Sequence, residues 1–347
     1  MYNFIKNYLS TILFLILIYF FYLNIPFYKE LLIKDFSLNF LNISINSLLI
    51  YKTIIFWYIL LLIPFYIYFT EESKARITIN YIKNKFINVK YKLKEVERVA
   101  FFSWIIKAFF APLMIIWLTW HVFTMINNIY LSYNDISIIS KDFLIFFNKH
   151  FFWLFFSIIL FFDVLFFTIW YLIESPKLNN KIKSVDPSII WWFVVLICYP
   201  PFNNFSTDII WWYSKEFPQF SNEYVHITLN SLLLILMWIY SWASISLWLK
   251  ASNLTNRWII KKWPYKYIRH PAYICKNIAW WIWWLPILIW NLYTWQYKHF
   301  FIVLFSLVIW SFIYYLRAIT EEKHLSSDKN YIKYKKEVKY KFIPKIF

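Results

Sequence analysis

The 347-residue chain contains no glycine, where the usual abundance of about 7% would give roughly 24. Glycine is the residue that adopts positive φ without steric cost, so turns and helix ends that need it must be built from something else. Cysteine is reduced to Cys198 and Cys275, which excludes both a disulfide framework and a cysteine metal cluster. No small-residue cleavage site follows the first apolar run, so that run reads as a retained span and not a signal peptide. No internal repeat is evident, which argues against an inverted-repeat transporter.

What the chain has is apolar length. It is 61% hydrophobic and 25% aromatic, and several runs reach the roughly 20 residues that cross a bilayer. The fold class expected is all-α, a polytopic transmembrane helical protein. Eight spans can be read, near 8–26, 47–70, 100–127, 150–173, 188–199, 225–249, 272–292 and 300–316. The fifth is short, ends at Pro200-Pro201, and reads either as a whole span or as a broken, partial one. The formal charge of +18 would point to nucleic acid in a soluble protein, but here the positive residues gather in connections between spans. Segments 71–98, 174–187, 250–270 and 319–347 carry eight, three, six and eight Lys/Arg respectively, whereas the alternate connections are balanced by Asp and Glu. With eight spans all four basic segments share one face with both termini, and the positive-inside rule places that face in the cytoplasm. Without the fifth span they would fall on opposite faces. The bilayer is therefore an expected partner and nucleic acid is not.

Lys107, His121 and Asp163 lie inside spans, where an ionisable group is costly unless paired or facing water. They read either as the lining of an internal cavity or as locally paired groups.

The last hundred residues are the informative part. Two domains are expected: 1–224, helices with no assigned role, and 225–347, a helical hairpin at 272–316 followed by a basic tail. The stretch WPYKYIRHPAY, residues 263–273, precedes the hairpin, and Arg317, Glu321, Glu322 and Leu325 follow it. Two spans return the chain to the face it left, so these motifs meet at one membrane surface. Pro264 and Pro271 make a stiff entry into the helix. Tyr265, Tyr267 and Tyr273 offer faces for an aromatic base or a cation, and Arg269 and His270 can hold a carboxylate. Glu321 and Glu322 can accept from ribose hydroxyls or attract a positive centre. S-adenosylmethionine, a zwitterion with an aromatic base and a sulfonium, satisfies all of these. No metal ligand set is read.

These residues also resemble a family. Gly-Pro-Tyr, a basic residue and an aromatic, then a basic residue before His-Pro-x-Tyr; a hairpin; an Arg-x-x-x-Glu-Glu-x-x-Leu exit; and a closing tyrosine-rich tail ending Ile-Pro are the pattern of isoprenylcysteine carboxyl methyltransferases. Here the stations are 263–273, Arg317 to Leu325, and 331–347, and the resemblance covers about residues 248–347. It implies a cytosol-facing S-adenosylmethionine pocket with contacts from Tyr265, Tyr267, Arg269, His270, Pro271, Tyr273, Arg317, Glu321, Glu322 and Leu325. It also implies a lipidic or prenylated acceptor entering laterally from the bilayer. Methyl transfer to a carboxylate needs alignment and a dry site more than proton transfer, so no catalytic acid or base is assigned. A phospholipid amine or a small thiol is an alternative acceptor. A sterol-reductase-like NADPH enzyme and a transporter or lipid-binding protein are alternative functions.

One departure from the family pattern is Trp263, which stands where the pattern has glycine. The chain has 22 tryptophans, an excess close to the missing glycines, and its richness in Phe, Tyr, Ile, Asn and Lys is that of an AT-rich gene. We hypothesise that codon UGA encodes glycine in the source organism, with Trp258 and Trp263 the first candidates and Trp191, Trp192, Trp211, Trp212, Trp283 and Trp284 after them. The competing account is that the tryptophans are interfacial anchors, which Trp280 and Trp281 fit. The native tryptic peptide 263–266 should have the mass of Gly-Pro-Tyr-Lys; a mass of Trp-Pro-Tyr-Lys would reject the hypothesis at this position.

Overall fold

The computed structural model describes residues 2–204, 210–211, 216–250 and 253–344. Trp212 and the last three residues of the tail lie outside them. The protein is helical, and among the described residues seven helices are long and apolar enough to cross a membrane. The only sheet of any length there is an antiparallel pair, β1 (Asp35–Leu38) with β2 (Ile43–Asn46). The chain forms two compact units, Met1–Phe123 with Phe167–Val185, and Thr124–Phe166 with Asp186–Phe347.

In the first unit, α1 (Tyr2–Asn24) packs on α2 (Pro26–Ile33), α3 (Ser47–Tyr68) and α4 (Lys74–Ile87). A cluster of Tyr22, Tyr28, Leu32 and Tyr51 is closed by Ile115 and Ile116 from α5 (Glu95–Asn134). Buried tyrosines need hydroxyl partners, and Tyr22 donates to the carbonyl of Phe109 at 2.7 Å. Asn46 and Ser73 cap α3 and α4 with their side-chain oxygens, satisfying amides that have no partner within the helix. Lys107 has a partner here: its ammonium lies 3.0 Å from Glu174, which also takes Lys74. The local-pairing reading therefore holds for Lys107.

The second unit contains the Phe152–Phe166 part of α7 (Phe152–Leu172), which follows the short α6 (Phe143–Phe146), together with α8 (Ile189–Leu196), α9 (Glu223–Ser246), α10 (Pro271–Tyr293), α11 (Tyr297–Leu325) and α12 (Lys329–Glu337). Phe152, Ile159, Leu233, Leu234, Met237, Ala279 and Ile282 form its core. α7 and α9 run in the same direction, because contacts rise together along both. Asn148 meets His226 at 2.6 Å, Ile159 meets Ser241 at 3.2 Å, Asp163 meets Tyr240 at 3.0 Å, and the rings of Phe166 and Trp248 lie 5.8 Å apart.

Parallel neighbours require the intervening chain to travel back across the unit. The expected fifth span is in fact only the eight residues of α8, about 12 Å of helix against a hydrocarbon core of about 30 Å. The return continues beyond α8. Asp186 and Trp191 lie against His324 at the C-terminal end of α11, and the amide of Trp211 donates to Ser306 at 3.0 Å. Eighteen residues of α11 separate those two contacts, about 27 Å along its axis.

The missing glycines leave a mark on the backbone. Five described residues take a left-handed φ: Asn42, Asn179, Trp248, Leu254 and Trp295. Trp258 and Trp263 are not among them, so glycine's conformational freedom is not what those two positions need. The left-handed tryptophans are others. At the end of α10, Gln296 N–H donates to Asn291 at 2.8 Å and Trp295 N–H to Leu292 at 3.3 Å. Those are the two bonds of a Schellman ending, with Trp295 at φ 61° in the position usually held by glycine. Trp248, at φ 49°, is likewise the second residue after the end of its helix, α9. Left-handed backbone costs an L-residue about 1–2 kcal/mol, and the Trp295 ring is 75% exposed, so little packing offsets it. Trp295→Gly should stabilise the purified protein by about 1 kcal/mol in thermal unfolding, while Trp295→Ala should gain much less. An equal gain from both would assign the effect to the exposed ring instead of to φ.

Candidate functional site

The segment before α10 enters it through Pro271 at the first helical position, with His270 as the cap residue. Proline suits that position because its missing N–H would have no helical partner. Just upstream, Arg269 N–H donates to the carbonyl of Tyr340 and His270 N–H to that of Lys341, both at 3.0 Å. The tail thus lies alongside the Arg-His-Pro stretch.

The side chains complete the junction. Arg269 is buried; its Nε donates to Glu322 Oε1 at 2.8 Å, and its Nη1 donates to the carbonyls of Val338 and Lys339 at 2.7 and 2.6 Å. His270 Nε2 lies 3.1 Å from the same Glu322 oxygen, and Lys335 and Lys341 approach Oε2 at 3.5 and 3.7 Å. The carboxylate that Arg269 and His270 hold is therefore the protein's own. Tyr273 donates to Glu321 Oε2 at 2.7 Å while its ring stacks on His270 at 5.2 Å.

Around this pair, Tyr331, Tyr334 and Val338 pack with Ile259, Tyr265 and Leu325. Tyr334 donates to the carbonyl of Tyr265 at 2.7 Å, and Asn256 donates to Asp328 at 3.0 Å. Burial, reinforced by the charge of Glu321, pushes the Tyr265 phenol well above its ordinary pKa, so it is a neutral phenol at physiological pH. Tyr267 is set apart from this group: it is 54% exposed, and its ring meets the ammonium of Lys266.

Arg317 is buried, with its guanidinium 5.2 Å from the ring of Tyr273 and 5.0 Å from that of Tyr314. One Nη donates to Asn253 at 3.2 Å, and Nε is buried with no hydrogen-bond partner. Glu321 keeps about a third of its side chain exposed. Nine of the ten residues selected from sequence are thus gathered around two carboxylates, and Tyr267 stands at the edge.

The sequence reading missed Lys276. It lies one turn beyond Tyr273 in α10, with its ammonium 5.6, 5.1 and 5.5 Å from the rings of Tyr240, Trp280 and Tyr314. The criterion that selected Lys107 and Asp163, an ionisable residue inside a span, would have found it. Comparison with protein-family models, with curated proteins and with solved structures finds no match to this chain.

Removing one partner from a buried ion pair costs about 3–5 kcal/mol. Glu322→Gln should accordingly release the tail, seen as faster amide exchange at 338–341, whereas Glu321→Gln should leave the tail protected. Equal protection in wild type and Glu322→Gln would show that aromatic packing alone holds it.

Proposed function

We propose that this chain is an integral-membrane methyltransferase that uses S-adenosylmethionine and acts on a lipidic acceptor, with an isoprenylcysteine-type carboxylate the first choice. The observation that carries the reading is the convergence of three separated stations, 265–273, 317–325 and 331–341, on one pair of carboxylates. Their order resembles that of isoprenylcysteine carboxyl methyltransferases, and the contacts between them are of the kind a shared pocket requires.

The residues fit the cofactor. Arg317 has a buried N–H without an acceptor, which a ligand carboxylate would satisfy, and a buried donor left unsatisfied is costly. Glu321 is exposed enough to accept from hydroxyls, and the stacked rings of Tyr273 and His270 stand beside it. Arg269 is committed to Glu322 and the tail carbonyls, so its part is to position the wall and not to touch the ligand. When bound, S-adenosylmethionine supplies a methyl group activated by its sulfonium. The protein's share is to orient it and keep water out. A carboxylate acceptor has no proton to lose, so we assign no acid or base.

We place this site on the cytoplasmic face, with eight crossings and both termini on that side. The parallel course of α7 and α9 supports the eighth crossing, with α8 and the irregular chain after it making the passage. The basic character of 250–270 and 319–347 supports the orientation.

Sealed inside-out membrane vesicles, which expose the cytoplasmic face, should retain labelled S-adenosylmethionine, and sealed right-side-out vesicles should not. Arg317→Gln should weaken retention by about tenfold or more. Retention of NADPH with none of S-adenosylmethionine would overturn the function, and binding only to right-side-out vesicles would overturn the orientation.

A further inference from the structure

Lys276 raises a question that the cofactor site does not answer. It is the single Lys, Arg, His, Asp or Glu in α10, about 8 Å along the helix from its start. Three aromatic faces surround its ammonium, and cation–π attraction offsets part of the cost of leaving bulk water. An ammonium also has three N–H donors, and ring faces do not replace hydrogen-bond acceptors.

Asp163 is an acid in electrostatic reach of it, but no ion pair joins the two. Its Oδ2 accepts from the hydroxyl of Tyr240 at 3.0 Å, and its Oδ1 is buried without a hydrogen-bond partner. The two opposite charges therefore stand near each other without a direct bond. A second cation, Arg317, shares the Tyr314 ring with Lys276, at 5.0 and 5.5 Å. Two cations flank one ring, and only one acid faces them from α7.

We infer that Lys276 binds the anionic head of an amphiphile, carboxylate or phosphate, whose chain lies in the bilayer. Lys276 is only partly buried, so a ligand can reach it, and its depth in α10 lies below the level of Glu321 and Glu322, where a lipid headgroup sits in reach of the cofactor residues. Lys276 lies outside the motif on which the family resemblance rests. As the acceptor's binding site it depends on the methyltransferase reading, and there it selects against a cationic phospholipid amine. As an anion site it stands on its own geometry.

The test is equilibrium binding of labelled oleate to the full chain purified in a neutral detergent. Oleate should bind saturably and be displaced by dodecyl phosphate but not by oleyl alcohol or oleylamine. The relative potency of oleate and dodecyl phosphate then separates carboxylate from phosphate. Lys276→Met should weaken oleate binding by about tenfold or more, and Lys276→Arg should retain most of it. Lys276→Met should keep the wild-type elution profile and its S-adenosylmethionine binding, which separates a lost site from a lost fold. Asp163→Asn should leave oleate binding unchanged or stronger.

Oleate binding that is indifferent to Lys276→Met, or equal displacement by oleylamine, would overturn the inference. So would an Asp163→Asn, Lys276→Met double variant no less stable than either single variant, because that would make Asp163 the true partner of Lys276. Failure of the methyltransferase reading looks different. S-adenosylmethionine would then not bind at all, while oleate binding would still depend on Lys276.

Discussion

The buried carboxylate of Glu322 is the interaction on which the C-terminal site depends. It gathers Arg269 and His270 from one part of the chain and Lys335 and Lys341 from another. A single buried carboxylate would be strongly unfavourable, and Arg269 would be equally unfavourable alone, so each makes the other's position obligatory. Arg269 then has donors to spare, and Val338 and Lys339 supply the acceptors. That second role converts an ion pair into a clasp for the tail. A lysine in its place would carry the charge but lack the planar fork that serves a carboxylate and two carbonyls together.

The clasp also explains the division of labour between two adjacent glutamates. Glu322 faces inward and is saturated by cations, whereas Glu321 points to Tyr273 and stays partly exposed. Neighbouring residues on a helix project about 100° apart, so one acid can be structural while the next remains free for a ligand. The same spacing sets Tyr273 and Lys276 on one side of α10, three residues apart. Across the gap, Tyr314 and Arg317 sit three apart on α11. Aromatic and cationic side chains thus alternate from the membrane surface inward.

Much of this was legible in the sequence because it depends on local signals. Apolar length marks the long helices, and Pro271 marks the start of α10. The two-span return implies that 263–273 and Glu321-Glu322 meet. What was not legible depends on partners. Nothing in the letters distinguishes an arginine that clamps a ligand from one that clamps Glu322. The brevity of α8 was half legible, since Pro200 and Pro201 deny two amides to any continuing helix, whereas hydropathy alone reads 188–199 as a span. Trp248 and Trp295 could not be selected either, since helix ends move by a residue or two and only one position in each takes a left-handed φ.

The described residues between α8 and α9 bear on how the hairpin is held. Non-helical backbone is tolerated at membrane depth only where protein or a water-filled cavity covers its polar groups. Here α11 supplies cover, as Ser306 accepts from the amide of Trp211, and α10 supplies more, as Trp283 Nε1 donates to the carbonyl of Glu216. The hairpin that carries the candidate site is therefore also the wall against which the returning chain is satisfied. Sliding either helix would break its bond, so both contacts favour one register of the hairpin. Fixed register is what a transfer reaction governed by alignment needs, because a displacement of about 1 Å at the reacting atoms is enough to lose most of the rate. The contacts that cover these residues thus also favour the alignment that the proposed methyl transfer would use.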